Sequence, residues 1–406
     1  MTKVLIIGAG HAGGTAAALL RQHGHAGPIV LAGEEAAAPY QRPPLSKAWL
    51  KGEAGLDDLL LRPESFYVEQ AIDLRLGVTA TAIDAAARTV AFSDGTTETY
   101  DVLVLATGST ARRLPVPGGD DPSLLELRTL KDAERLKALL GPGKRLAVVG
   151  GGYVGLEAAA SARALGADAV VIERMDRVLA RVASQTLSDF FTALHRAHGV
   201  EILTSAEAQS LEARSLEDGV VRLADGRTIQ ADAILVGIGA QSCDGLAATA
   251  GLACDNGVVV DEQARTSDPA IFAIGDVTNR PVPVHDGARH RLESVPNALE
   301  QAKQAAAAIV GRPAPTPEVP WFWSDQYDVK LQIAGLPFGA DRQVVRGDPT
   351  APGFAVFHLQ GQRLLCVEAV NAPAEFMGGR LLIGKATPVD AERLADAAVS
   401  MKAVAL

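Results

Sequence analysis

Two glycine clusters carry the clearest chemistry in this sequence. GAGHAG at 8–13 follows the apolar run VLII at 4–7 and opens an alanine- and leucine-rich helix. A second apolar run at 29–31 then leads to Glu34 and Glu35. GGGYVG at 150–155 follows an apolar run at 146–149, and a helix is expected through 157–165. The run at 170–172 ends at Glu173. Each unit therefore reads strand, G-x-G-x-x-G, helix, strand, acid. The first glycine (Gly8, Gly150) suits a tight turn, and the second (Gly10, Gly152) lets backbone approach a pyrophosphate. The third (Gly13, Gly155) lets the helix pack on the strand. A helix N-terminus favours phosphate charge, and the acid accepts from a ribose diol. One such motif is a weak signal. Two in full context predict two dinucleotide sites, and hence electrons passing between two cofactors.

Two further segments are similar to motifs of flavoproteins with two dinucleotide-binding domains. VLVLATG at 102–108 resembles their ATG motif, and IFAIGD at 271–276 their GD motif. The resemblance implies FAD on the first unit and the nicotinamide nucleotide on the second. It assigns Thr107, Gly108 and Gly275 to the cofactor, and Asp276 to a ribityl hydroxyl. A helix over about 296–310 would aim its positive N-terminus at the flavin ring. The fold class expected is α/β: two Rossmann-like domains on the glutathione-reductase-like plan plus a small α+β C-terminal domain. The boundaries read as 1–112 and 236–314 for FAD, 113–235 for NAD and 315–406 for the C-terminal interface domain. The return of the chain to the FAD domain is placed around VGIG at 236–239, ending at Gly239, and the proline-rich stretch at 311–320 reads as a linker. Runs at 330–333 and 354–359 suggest a small sheet, and a closing helix is expected from Ala386, with Pro388 near its start.

The chain has 406 residues, 48% of them hydrophobic, which is enough for several cores. Its net charge of −10 argues against nucleic-acid or anionic-membrane partners. No apolar run is long enough to span a membrane. The start superficially resembles a signal peptide, but its glycines sit at motif spacing and cleavage would destroy that motif, so it is read as structure. Cys243, Cys254 and Cys366 are isolated, with no metal-ligand spacing, which suits a reducing cytoplasm and no metal site. His195 and His198, three apart on a polar helix, read as a solvated face rather than a metal pair. His285 and His290 have no ligand-like partners.

PYQRPPLSK at 39–47 holds two prolines that fix φ and restrict how far Lys47 can move. This word, with LATGS, LRTLKDA, GGGYVGLEAA, HRAHGV, AIGDV, RLESVPNALEQA and PWFWSDQY, resembles the NADH-dependent, FAD-containing ferredoxin reductases of bacterial cytochrome P450 and Rieske oxygenase systems, the putidaredoxin-reductase-like group. The resemblance covers nearly the whole chain. It implies that Lys47 lies beside the flavin and pairs with Glu157, and that these two tune the cofactor. It also implies FAD contacts from Ala12, Arg42, Arg128 and Val295, and a ribose role for Glu34, with Glu35 as the competing choice. Tyr153, Val154 and Glu173 fall on the nicotinamide nucleotide. Trp321 and Trp323 would flank the flavin side of the third domain, unless they are ordinary core.

Disulfide reductases of the same fold carry a redox cysteine after the first unit, whereas residues 36–60 here hold none. Electrons would therefore leave the flavin directly, for a [2Fe–2S] ferredoxin that supplies an oxygenase. Rival readings are a rubredoxin reductase, or a redox-controlled binding flavoprotein of the apoptosis-inducing-factor type. Lys303, Arg380 and Lys402 match basic docking positions of that group. NADH is expected over NADPH because Glu173 would repel a 2′-phosphate, with Arg174 and Arg177 near enough to offset part of this. A monomer or weak dimer is expected.

Overall fold

The computed structural model describes residues 1–215 and 218–406. The chain divides into two compact units: Met1–Gln41, Leu56–Thr110 and Gln241–Phe322 form one, and Arg42–Gly55, Ala111–Ala240 and Trp323–Leu406 the other.

The first unit is built on a five-stranded sheet. Its order is Ile271–Ala273, Val102–Leu105, Val4–Ile7, Ile29–Gly33, Ile72–Leu76, every pair parallel. Val4 sits between Ile29 and Val102 in register. Val4–Ile7 and Ile29–Gly33 are buried at every residue, as a parallel sheet covered on both faces requires. The helices His11–Gln22 and Val295–Ile309 share one core through Ala12, Ala16 and Ala17 and through Ala298, Ala302 and Ala305. Small side chains at such a contact let two helix backbones approach closely.

The second unit contains a four-stranded parallel sheet in the order Val200–Leu203, Asp168–Ile172, Arg145–Val149, Ala233–Val236. The helix after the second glycine motif runs from Tyr153 to Ala164 and is buried over most of its surface. It starts four residues before the expected 157 because Gly152, extended at φ −82° and ψ 178°, acts as its N-cap. A further five-stranded sheet has the order Trp321–Gln326, Val329–Gly335, Arg363–Val370, Phe354–Gln360, Arg342–Arg346. No described helix is long and apolar enough to cross a membrane.

The expected closing helix from Ala386 is a misreading. The long helix is Pro373–Gly384, and it stops at Ala386, which sits at φ 49°. Beyond it Pro388 bridges to Arg363 and Val389 to Ala405, so the chain runs extended until the short helix Ala391–Ala395. Arg346 explains why the tail stays irregular. Its buried guanidinium donates to the carbonyls of Leu394, Asp396, Ala397 and Val399, at 3.3, 2.6, 3.3 and 2.6 Å, and to Glu375 Oε1 at 3.1 Å. One planar five-donor group thus satisfies carbonyls that a continued helix would have paired internally.

Removing it strands those acceptors together with a carboxylate. Arg346→Leu should cost about 3–5 kcal/mol, and Arg346→Lys most of that, since an ammonium cannot span the same set. Equilibrium denaturation with C-terminal hydrogen exchange measures both; a variant as stable as wild type would show the clamp to be idle.

Candidate functional site

In the first glycine motif the three glycines differ in what requires them. A Cβ on Gly8, at φ 111°, would lie 2.1 Å from the Ala106 carbonyl oxygen. One on Gly13 would lie 1.9 Å from the oxygen of Gly8. One on Gly10 would meet nothing within 4 Å, and its φ of −91° suits any residue. Packing therefore demands the outer two glycines, while the middle one keeps space open at a helix N-terminus that no side chain caps. The second motif repeats this. Gly150 Cβ would lie 2.5 Å from Gly237 O and Gly155 Cβ 2.4 Å from Gly150 O, whereas Gly152 again meets nothing. Both cradles fit a diphosphate: helix N-termini that no side chain caps, positive helix ends and vacant space at the middle glycine.

Around the first cradle, Glu34 is exposed just past the strand Ile29–Gly33, and its carboxylate has no hydrogen-bond partner among the described residues. Glu35 instead accepts from Tyr40 Oη at 2.5 Å. Ala12 lies against Gly275, whose added Cβ would be 3.0 Å from its methyl group. Gln301, fully buried, accepts from Gly275 N and Thr278 Oγ1, both at 2.8 Å, and so fixes the turn that presents Asp276. Ser109 Oγ donates to Asp276 Oδ2 at 3.1 Å. Val295 opens its helix, but that N-terminus is less open than expected. Ser294 Oγ already accepts from Asn297 N, and Pro296 has no N–H to offer. The fold also brings a cysteine here that spacing did not reveal. Thr107 Oγ1 donates to the Cys243 carbonyl at 2.9 Å, and Cys243 N donates to Gly108 O at 3.0 Å.

In the second cradle Glu173 is fixed at both oxygens. Oε2 accepts from Gly151 N and Oε1 from Met175 N, each at 2.7 Å. Tyr153 Oη donates to Val182 O at 3.3 Å, and burial together with the Glu368 carboxylate pushes that hydroxyl well above its ordinary range. Val154 is exposed on the first helical turn. Gly239, at φ 111°, continues the chain beyond Gly237, and its carbonyl accepts from Arg112 N. Arg177 is held in place by the carbonyls of Ala180, Ala183 and Ser184 and by Ser188 Oγ. Arg174 remains exposed.

The proline pair makes a single 3₁₀ turn, Pro43–Ser46, which delivers Lys47 to the helix Tyr153–Ala164. Lys47 Nζ donates to Glu157 Oε2 at 2.6 Å and to Pro43 O at 3.2 Å. Glu157 is only 5% exposed and takes two further donors, Ser46 Oγ at 2.5 Å on Oε2 and Ser324 Oγ at 2.6 Å on Oε1. Arg42 donates to the Arg128 carbonyl at 2.5 Å, which ties the start of the turn to the LRTLKDA segment. Ser46 and Ser324 escaped the sequence reading, since nothing in the spacing of a serine 111 or 167 residues away marks it as a partner.

Other expectations need correction. His195 is not on a solvated face. It is fully buried, on the same side of its helix as Leu187 and Phe191, four-residue spacings that would have revealed it. Lys303 is 47% exposed and paired with Glu318 at 2.8 Å. Trp321 and Trp323 are half-buried. Arg380 is half-buried on the helix Pro373–Gly384, and Lys402 is exposed one residue beyond Met401, whose side chain covers Gly378.

Two family models match the chain: pyridine nucleotide-disulphide oxidoreductase over residues 2–302 and reductase C-terminal over 321–405. The chain belongs to the pyridine nucleotide-disulphide oxidoreductase family. It is 51% identical to a probable ferredoxin reductase, CtmF, of Castellaniella defragrans, covering 100% of this chain and 99% of that one. It is 42% identical to putidaredoxin reductase of Pseudomonas putida, covering 99% and 96%. Among solved structures, the covalent putidaredoxin reductase–putidaredoxin complex matches with a TM-score of 0.96 at 41% identity, over 99% of this chain and 98% of that one. The two-dinucleotide fold expected from the repeated motif is thus the family's, and family membership brings FAD and NAD(H) as cofactors.

The division of labour among the glycines is testable. Gly10→Ala should leave the unfolding midpoint of apoprotein within about 2 °C of wild type yet sharply lower retained flavin, read from visible absorbance. Gly8→Ala should destabilise apoprotein by more than about 3 kcal/mol. Equal flavin retention in Gly10→Ala and wild type would refute the assignment.

His195 supplies a pH test. Burial pushes its imidazole down to about 4, while the unfolded chain takes the proton near 6.5. The unfolded state then binds more protons between those values, so stability should fall as pH drops from about 6.5 towards 4. His25 and His290, also pushed down by burial, act in the same direction. The difference in slope between wild type and His195→Asn isolates the effect, and identical slopes would rule it out.

Proposed function

We propose that this chain is an NADH:ferredoxin oxidoreductase, passing electrons through FAD to a [2Fe–2S] ferredoxin that supplies a cytochrome P450 or Rieske oxygenase. The observation that carries this reading is the end-to-end match to ferredoxin reductases of oxygenase systems, joined to two diphosphate cradles in one chain. Bound FAD takes an electron pair as hydride from NADH and gives electrons up one at a time. The chain's own part is to hold and polarise. Gly8, Gly10, Gly13, Glu34, Thr107, Gly108 and Asp276 are assigned to FAD, with Arg42, Arg128, Val295 and Trp321 as further contacts. Gly150, Gly152, Gly155, Tyr153, Val154, Gly239 and Glu173 are assigned to the nicotinamide nucleotide. Lys47, its charge fixed by Glu157, is assigned to tuning the flavin. The domain roles follow the expected boundaries.

A thiol relay is disfavoured, because a dithiol cycle needs two adjacent sulfurs and residues 36–60 hold no cysteine. Three cysteines outside any disulfide also suit a cytoplasmic protein. For the partner, Lys303 is the first docking candidate, 47% exposed in its pair with Glu318, with Arg380 and Lys402 as further ones, and Trp321 and Trp323 are offered as neighbours of the electron path.

Reduction of cytochrome c by NADH, with and without added ferredoxin, tests the function. Ferredoxin should raise the rate at least tenfold, and an unchanged rate would end the reading. The triple variant Cys243→Ser, Cys254→Ala, Cys366→Ala should keep turnover within about threefold.

Glu173 should set nucleotide choice. A 2′-phosphate about 4 Å from its carboxylate is repelled by about 4 kcal/mol at an effective dielectric of 20, less after solvent screening. Wild type should favour NADH in kcat/KM, and Glu173→Ala should narrow that ratio by about tenfold. An unaltered ratio would remove Glu173 from the role.

A further inference from the structure

Glu157 does not end at its three donors. Ser324 Oγ, which donates to Glu157 Oε1, accepts from Gln326 Nε2 at 3.1 Å. The other end of that amide, Gln326 Oε1, lies 2.7 Å from His195 Nε2. His195 Nδ1 lies 3.2 Å from Tyr327 Oη. The residues come from two helices, a strand and the turn that follows it. Glu157, Ser324, Gln326 and His195 are all buried.

The chemistry of the groups gives this chain one direction. An ionised carboxylate only accepts, so the Ser324 proton points to Glu157 and its oxygen must take the amide N–H. The Gln326 carbonyl then faces His195 and also only accepts, so Nε2 carries the imidazole proton. Nδ1 is left as an acceptor, and the Tyr327 hydroxyl donates to it. Turning the amide over would set its oxygen against the Ser324 lone pairs. Every donor from Tyr327 to Ser324 therefore points towards Glu157, and hydrogen bonds aligned in series polarise one another.

The outer end is held in an uncommon backbone conformation and by ring contacts. Tyr327 sits at φ 56°, a left-handed conformation unusual for an aromatic residue. Its ring stacks on His198 at 3.7 Å, nearly parallel, and meets the His195 ring edge-on. Burial pushes the Tyr327 hydroxyl up to about 12 and the His195 imidazole down to about 4, so both keep their neutral, donating forms across the physiological range. The charged and titratable groups facing the chain are Lys47 at the Glu157 end, and His198 and Arg163 near Tyr327.

We propose that Tyr327, His195, Gln326 and Ser324 form a one-way hydrogen-bonded chain that fixes the Glu157 carboxylate, making Ser324 and Gln326 positioning residues for the Lys47–Glu157 pair. Gln326 excludes a proton wire, because an amide does not hand on the proton it receives. The chain acts by orientation and charge. Its consequence for the flavin rests on the tuning role given to Lys47 and Glu157 above.

Two measurements on the FAD-loaded protein separate the two claims. Two-bond proton–nitrogen NMR of histidine-labelled enzyme should find His195 as the neutral Nε2–H tautomer from pH 8 to pH 5. An Nδ1–H tautomer, or protonation within that range, overturns the chain whatever the flavin does. Redox titration should then give a graded series. Ser324→Ala should shift the flavin midpoint potential in the same direction as Glu157→Gln but by less, and Gln326→Leu by less again. Ser324→Thr, which restores the hydroxyl, should return towards wild type. If Glu157→Gln shifts the potential and Ser324→Ala does not, the positioning role is wrong. If Glu157→Gln itself leaves the potential unchanged, the tuning role fails, and the tautomer of His195 alone decides the chain.

Discussion

A carboxylate can stay inside a protein only when its oxygens are met by donors or by a cation, and Glu157 is the residue on which this constraint falls hardest. It sits on a helix that is buried over most of its surface, where a bare charge would be untenable. Lys47 and Ser46 supply one oxygen and Ser324 the other. Each donor comes from a distant part of the sequence. The proline turn, the helix after the second glycine motif and the first strand of the C-terminal sheet must all be in place before the charge is satisfied. Such a pair adds little net stability, because desolvation consumes most of the Coulombic gain. What it does add is a fixed position for a lysine ammonium.

The glycine motifs show the same separation between what holds the fold and what waits for a ligand. Gly8, Gly13, Gly150 and Gly155 are forced by backbone contacts that leave no room for a Cβ. Gly10 and Gly152 are forced by nothing in the chain. A residue kept small where the protein has no need of smallness points to something outside the chain. The uncapped helix ends in front of both glycines give that something a negative charge.

Electron transfer asks less of side chains than acid–base chemistry does. The cofactors carry the redox steps, and the protein contributes placement, charge and exclusion of competing thiols. The residues around Glu157 suit that role, for they make a rigid, oriented set of dipoles rather than a titrating group. Glu173, pinned between Gly151 N and Met175 N, is likewise positioned before any nucleotide arrives.

The repeated strand–glycine–helix–strand–acid pattern fixes two dinucleotide domains by itself, because its period and its glycines report local geometry. The same holds for PYQRPPLSK, where two prolines constrain the backbone whatever surrounds them. That Glu35 is engaged by Tyr40 is visible only in the fold, which brings the two side chains together. The tail was misread as a helix because its carbonyls are claimed by Arg346, which lies 48 residues before Leu394. The burial of His195 was legible in its four-residue spacing from Leu187 and Phe191, but its partner Gln326 is supplied by another element and only the fold shows it. Local conformation is written in nearby residues. The satisfaction of buried polar groups is settled between segments far apart in sequence, and only the tertiary structure decides it.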